Sequence, residues 1–155
     1  MRAIKYAFSS KTTRDVYIVA AKRTPIGAFM GKLSTFQASE LGGIAIKGAL
    51  ESIKLNPNEI DEVILGNVLA AGQGQAPARQ ASLKGGIGIN VPCTTINKVC
   101  SSGLKSIVFG SQSIALGENN TVVAGGFESM SNAPHMLVGV RINLCLDKKR
   151  IRIWR

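Results

Sequence analysis

Two patterns of apolar residues alternate along this chain: short unbroken runs bounded by glycine and proline, and longer stretches with apolar positions every three or four residues. Residues 16–21, within "DVYIVAAKRT", form a continuous apolar run of the kind that predicts a parallel strand covered on both faces. Pro25, Gly27 and Gly31 then predict a loop. Over residues 39–54, Leu41, Ile44, Ala45, Ala49, Leu50 and Ile53 fall on one helical face, with Ser39 or Thr35 as candidate caps and Asn56-Pro57 as the stop. "EVILGNV", residues 62–68, predicts a second buried strand. Pro77 suits the first turn of a short helix that Gly85-Gly86 would end. "CTTINKV", residues 93–99, is rich in β-branched side chains and predicts a third strand. A helix over residues 102–116 and a fourth strand from Thr121, "TVVAGG", complete the series.

Strand and helix in strict alternation predict an α/β fold, a wound and mainly parallel sheet with covering helices and right-handed crossovers. The helix at 102–116 is unusual among these elements because no residue from Ser106 through Gly117 is charged. Leu104, Ile107, Val108, Ile114 and Ala115 form an apolar side, and Gly103, Ser106, Gly110, Ser113 and Gly117 form a stripe of small residues. Small residues at that spacing let another backbone approach closely. The pattern predicts a helix buried all round, with a packing partner on the small face that this chain does not supply.

Charge changes the picture little once it is divided along the chain. The net charge of +10 is concentrated at the ends. Arg2, Lys5, Lys11 and Arg14 stand without an acid in residues 1–14, and six basic residues face only Asp147 in 139–155. Residues 15–138 carry nine basic and eight acidic side chains, so the predicted folded part is nearly neutral. Basic ends without a recognition motif argue against nucleic acid as a partner. No run approaches the roughly 18–20 apolar residues of a membrane span. Gly72-x-Gly74 and "GGIGIN" lack the spacing of a dinucleotide-binding turn. Residues 1–14 have the composition of a short mitochondrial presequence or of a disordered extension, with a cytoplasmic location as the alternative.

Cys93, Cys100 and Cys145 are an odd number of thiols without close pairing, which points to a reducing compartment rather than a disulfide framework. With His135 as the one histidine, their spacing does not make a metal site. Cys100 stands apart because it falls where the third strand gives way to the uncharged helix. A thiol at a helix N-terminus lies beside unpaired backbone N–H groups that favour the thiolate and can serve as an oxyanion hole. A buried, inert cysteine is the commoner case on spacing alone.

The runs "PCTTINKVCSSGLKSI" and "GGFESMSNAP" resemble the two N-terminal signatures of the thiolases, and "VAAKRTPIGAFMGKLS" and "GNVLAAGQGQAPARQASL" resemble the same family in the same order. Within it, "CTTINKVC" is most similar to the mitochondrial acetyl-CoA acetyltransferases. The resemblance covers residues 15–138 and implies an incomplete N-terminal half of a layered α/β/α/β/α architecture. It makes Cys100 the acylated nucleophile, with coenzyme A thioesters as substrates, no permanently bound cofactor, and thiolase subunits as partners. It implies that Gly125, Gly126, Glu128, Ser129 and Met130 are scaffolding near the site. Cys93 and His135 match no catalytic position.

Thiolases are more than twice this long, and the family's remaining catalytic groups lie in a second half with no counterpart here. Residues 139–155 read as a divergent basic tail, in which Cys145 is incidental. The resemblance therefore predicts a chain that holds the nucleophile without its acid and base and does not turn over alone. A longer-chain 3-ketoacyl-CoA thiolase, a related condensing enzyme and a non-catalytic form that joins full-length subunits stay open as alternatives.

Overall fold

A computed structural model describes residues 13–136 of the chain. The expected presequence over 1–14 falls almost wholly outside that range, and the divergent tail over 139–155 with Cys145 does so entirely. Three parallel strands form the sheet: β1 (Glu62–Gly66), β2 (Cys93–Ile96) and β3 (Val122–Gly126), in the order β2-β1-β3. Three helices cover it: α1 (Ala38–Ser52), α2 (Pro77–Lys84) and α3 (Ser102–Leu116). These agree with the sequence expectations to within a few residues, and α3 agrees at both ends.

Local chemistry accounts for the helix limits. The α1 cap is Gln37 rather than Ser39 or Thr35, and its backbone N–H donates to Glu40 Oε2 at 2.7 Å, filling a donor that the helix itself leaves unpaired. Pro77 opens α2 where no N–H is needed, and the next amide, Ala78 N–H, donates to Thr95 Oγ1 on β2 at 3.0 Å. Gly117, at φ 78°, ends α3 in the left-handed conformation that glycine adopts without strain.

The central strand β1 points alternate side chains to opposite faces. Val63 and Leu65 enter the main core with Ile46 and Leu50 of α1, Ala78 and Ala81 of α2, and Ile87, Val91 and Phe127. Helices α1 and α2 approach closely there, since a Cβ at Gly43 would stand 2.7 Å from Lys84 Cβ. On the other face lies α3, and its contact with the sheet is made of small residues. Ser102, Ser106, Gly110 and Ser113 are buried, and Ser106 Oγ lies 2.6 Å from Gly103 O and 2.7 Å from Gly125 O.

Two expectations are corrected. The small stripe of α3 needs no outside partner, because it packs on the chain's own β1 and β3, with Gly66 and Gly126 against Gly103 and with Val122 and Ala124 against Gly110. Among the described residues much of the apolar side is left uncovered: Leu104 is 67% exposed, and Ile107, Phe109 and Leu116 are exposed as well, while Val108, Ile114 and Ala115 are half-buried. Residues 16–21, expected as a buried parallel strand, form no strand, and Ile18 is 79% exposed. The segment is tied down just before its start, where Arg14 N–H donates to Ala115 O and its guanidinium to Asn120 Oδ1. Among the described residues its backbone groups pair with no strand, and an apolar run becomes a strand only when its backbone groups find partners.

Candidate active site

Gly66 stands in register with Ile96 on one side and Gly126 on the other, so all three strands finish at the same edge. The residues that follow them, Asn67, Asn97 and the pair Phe127-Glu128, are thereby gathered at the carboxyl end of the sheet. In open parallel sheets this is where ligands bind.

A polar network ties these strand ends together. Asn67 is only 2% exposed, and its side-chain amide donates to Phe127 O and to Glu128 Oε1, both at 3.0 Å. Its Oδ1 accepts from Gln73 Nε2 at 3.2 Å. Glu128 Oε2 also accepts the backbone N–H of Val68 at 2.8 Å. One carboxylate from beyond β3 thus holds the loop beyond β1. Asn97 Nδ2 donates to Val68 O at 3.3 Å, which joins the end of β2 to the same loop.

Cys100 sits on the short turn between β2 and α3, and its side chain is exposed. The residue before it, Val99, has φ 50°, a left-handed conformation that costs a β-branched residue of order 1–3 kcal/mol. Four hydrogen bonds oppose that cost. Asn97 Oδ1 accepts Val99 N–H at 3.0 Å, and Ser102 N–H donates to Val99 O at 3.0 Å. Ser102 Oγ donates to Val99 O at 2.6 Å and accepts Lys98 N–H at 2.8 Å.

Glycines bring the start of α3 down onto the strand ends. A Cβ at Gly66 would lie 2.6 Å from Gly103 N, and one at Gly126 would lie 3.0 Å from Gly103 Cα. Any side chain at either position would lift the turn that carries Cys100.

The other sequence-predicted residues separate cleanly from this arrangement. Cys93 is half-buried at the far, amino end of β2, with Sγ 3.4 Å from Val91 O. His135 is exposed on the segment that follows the turn Met130–Asn132. Gly125 and Gly126 pack under α3. Ser129 Oγ donates to Phe36 O at 3.2 Å, which fastens the loop before α1 to the same edge. Met130 is exposed and begins that short turn. Sequence reasoning gave no role to Asn67 or Asn97. For Asn67 the signal was present: an amide at the end of an apolar strand run is a polar group that needs partners once buried, as Asn67 is.

The arrangement presents an exposed thiol on a rigid, strained turn, open to a substrate from the carboxyl end of the sheet. Among the described residues no side chain hydrogen-bonds Cys100 Sγ. The family description "Thiolase, N-terminal domain" matches residues 16–152. The mitochondrial acetyl-CoA acetyltransferase of Homo sapiens is 51% identical over 138 residues, covering 88% of this chain and 32% of the relative. The cytosolic acetyl-CoA acetyltransferase ERG10 of Gibberella zeae is 56% identical over 126 residues, covering 81% and 32%. A crystal structure of the Acat5 thiolase from Ascaris suum in complex with coenzyme A superposes with a TM-score of 0.78 at 47% identity, over 81% of this chain and 33% of that one. The chain spans about a third of the length of the curated relatives it matches.

Proposed function

The chain belongs to the thiolase N-terminal domain family, and from that premise we propose that Cys100 is the nucleophile of an acyl transfer between coenzyme A thioesters. The observation that carries the reading is the exposed thiol held at the carboxyl end of the sheet, on the turn that opens α3. Acetyl-CoA is the acyl donor favoured by the relatives' names, one mitochondrial and one cytosolic.

In the first step the Cys100 thiolate attacks the thioester carbonyl carbon. A new S–C bond forms, the bond from that carbon to the coenzyme A sulfur breaks, and coenzyme A leaves as a thiolate that takes up the proton Cys100 gave to solvent. One thioester replaces another, so no outside reductant or energy source is needed. In the synthetic direction a second acetyl-CoA, deprotonated at its methyl, would attack the acyl carbon of the acyl-cysteine, forming a C–C bond and breaking the bond to Cys100 Sγ, which leaves as the thiolate. In the degradative direction free coenzyme A would release the acyl group. Both later steps move a proton at carbon or sulfur, where a positioned acid or base contributes about 10²–10⁴-fold. The sequence has one histidine, His135, and it lies exposed. The activity proposed for the described residues is the first step, acylation of Cys100.

The test is to incubate the purified chain with acetyl-CoA and map the acyl group by intact and peptide mass. Acetylation at Cys100 and its absence in Cys100→Ser are expected. Labelling at Cys93 instead, or none under conditions that label an intact thiolase, would overturn the reading.

A second reading rests on the uncovered apolar side of α3, where Leu104 and Leu116 are exposed. A surface of that kind marks an association site, and it supports a chain that joins a full-length thiolase subunit. The Leu104 substitution described below tests it.

A further inference from the structure

A continuous line of hydrogen bonds runs from the end of β3 to the amide that precedes Cys100. Glu128 Oε2 accepts Val68 N–H at 2.8 Å; Val68 O accepts Asn97 Nδ2 at 3.3 Å; Asn97 Oδ1 accepts Val99 N–H at 3.0 Å. Each link comes from the residues following a different strand, so the line crosses the whole carboxyl end of the sheet. It terminates on Val99, the left-handed residue whose conformation sets the direction in which the chain reaches Cys100. Left-handed backbone at a β-branched residue persists only where its surroundings hold it. Of the groups that hold Val99, Ser102 belongs to α3 itself, whereas Asn97 is the one anchored to the other strands.

We propose that Asn97 is a positioning residue for Cys100, and that Glu128 acts through it by fixing the Val68 peptide. Neither side chain touches the substrate in this account. Asn97 holds the turn, and the turn aims the thiol. The inference rests on the reading of Cys100 as nucleophile, but it makes a separate claim about what sets that thiol's direction.

The experiment follows two reactions in the full chain: acetyl transfer from acetyl-CoA to Cys100, and alkylation of Cys100 and Cys93 by iodoacetamide, resolved by peptide mass. Cys93 is half-buried at the opposite end of β2 and reports general loosening of the fold. A misaimed nucleophile loses rate steeply with small displacements, so Asn97→Ala should slow acetyl transfer at Cys100 by about tenfold or more while Cys93 alkylation stays unchanged. Asn97→Asp keeps an acceptor for Val99 N–H but loses the donor to Val68 O, so it should recover only a small part of that rate. Wild-type rates at Cys100 in Asn97→Ala would overturn the proposal.

If Asn97→Ala loosens the whole fold, seen as faster Cys93 alkylation, Glu128→Gln decides. The proposal requires slower transfer at Cys100 with Cys93 unaffected, and it fails if Cys100 reacts at the wild-type rate. A wild-type chain that is alkylated but never acetylated at Cys100 would sink the acyl-transfer reading alone. The ratio of Cys100 to Cys93 alkylation across the same variants would then still test the positioning claim.

Discussion

The two sides of α3 are held to opposite standards. At its N-terminus, where it meets the strand ends, the side-chain oxygen and nitrogen of Asn67 are both paired and glycine backbones touch. On its outer face, Leu104, Ile107 and Leu116 stand in the open among the described residues, and Lys105 Nζ lies 4.2 Å from the Phe109 ring centre. The inner region is over-determined: several interactions from three strands converge on one turn. The outer region is apolar surface with nothing described against it. Chemistry that depends on direction belongs to the first kind of region, and association belongs to the second, because burying apolar area is non-directional.

The largest expected effect breaks the inner region. Gly66→Val would put side-chain atoms where Gly103 N now lies 2.6 Å from an added Cβ. Overpacking against backbone should cost about 3 kcal/mol, read as a lower urea midpoint, and should abolish Cys100 acetylation. A Gly66→Val chain with wild-type stability would show that α3 does not depend on that close approach.

A smaller effect is expected on the outer face. Leu104→Glu should change stability by no more than about 0.5 kcal/mol, since little contact is lost, while lowering aggregation and co-purification with full-length thiolase subunits. A loss of about 2 kcal/mol instead would mean that this face is covered. Unaltered co-purification would remove the second reading.

The smallest effect concerns a loop clamp at the amino end of the sheet that parallels Glu128. Asp61 Oδ2 accepts Asn120 N–H at 2.7 Å and Thr121 N–H at 2.9 Å, and these two backbone bonds, Thr121 first, hold its carboxyl below the ordinary value of 3.8. Asp61 is exposed, so the effect is modest. A lowered folded-state pKa means that the stabilisation is complete above the unfolded value, about 3.9, and is lost as pH falls below it. Thermal melts between pH 6 and pH 3 (about one unit below that value) should decline less steeply in Asp61→Asn than in the wild type. Identical slopes would show that the clamp carries no net stability.

Much of this organisation was legible beforehand. Pro77 and Gly85 marked α2, because those residues act through local backbone geometry. Cys100 could be placed at a strand-to-helix junction from the apolar pattern alone, and the signature around Glu128 could be assigned to scaffolding near it. The partners of Glu128 could not be assigned. They lie about sixty positions earlier in the chain, and only the parallel register of β1 with β3 brings them together.

Two misreadings have the same origin. Residues 16–21 have the composition of a covered strand, yet strand formation is a property of a pair of backbones, and among the described residues their backbone pairs with no strand. The helix at Ser102–Leu116 has two faces that composition distinguishes but does not orient. Hydrophobicity alone would turn Leu104 and Ile107 inward. The sheet beneath brings Gly66 and Gly126 to Gly103 and brings Val122 and Ala124 to Gly110, and a helix settles where its surface fits, so the small face went down and the apolar face stayed out. Sequence by itself determined the helices, the order of the elements and the chemistry at their ends, because these are local. The tertiary structure alone decided which backbones pair, which face of α3 is buried and which amide aims Cys100, because each of those is settled between residues far apart in the chain.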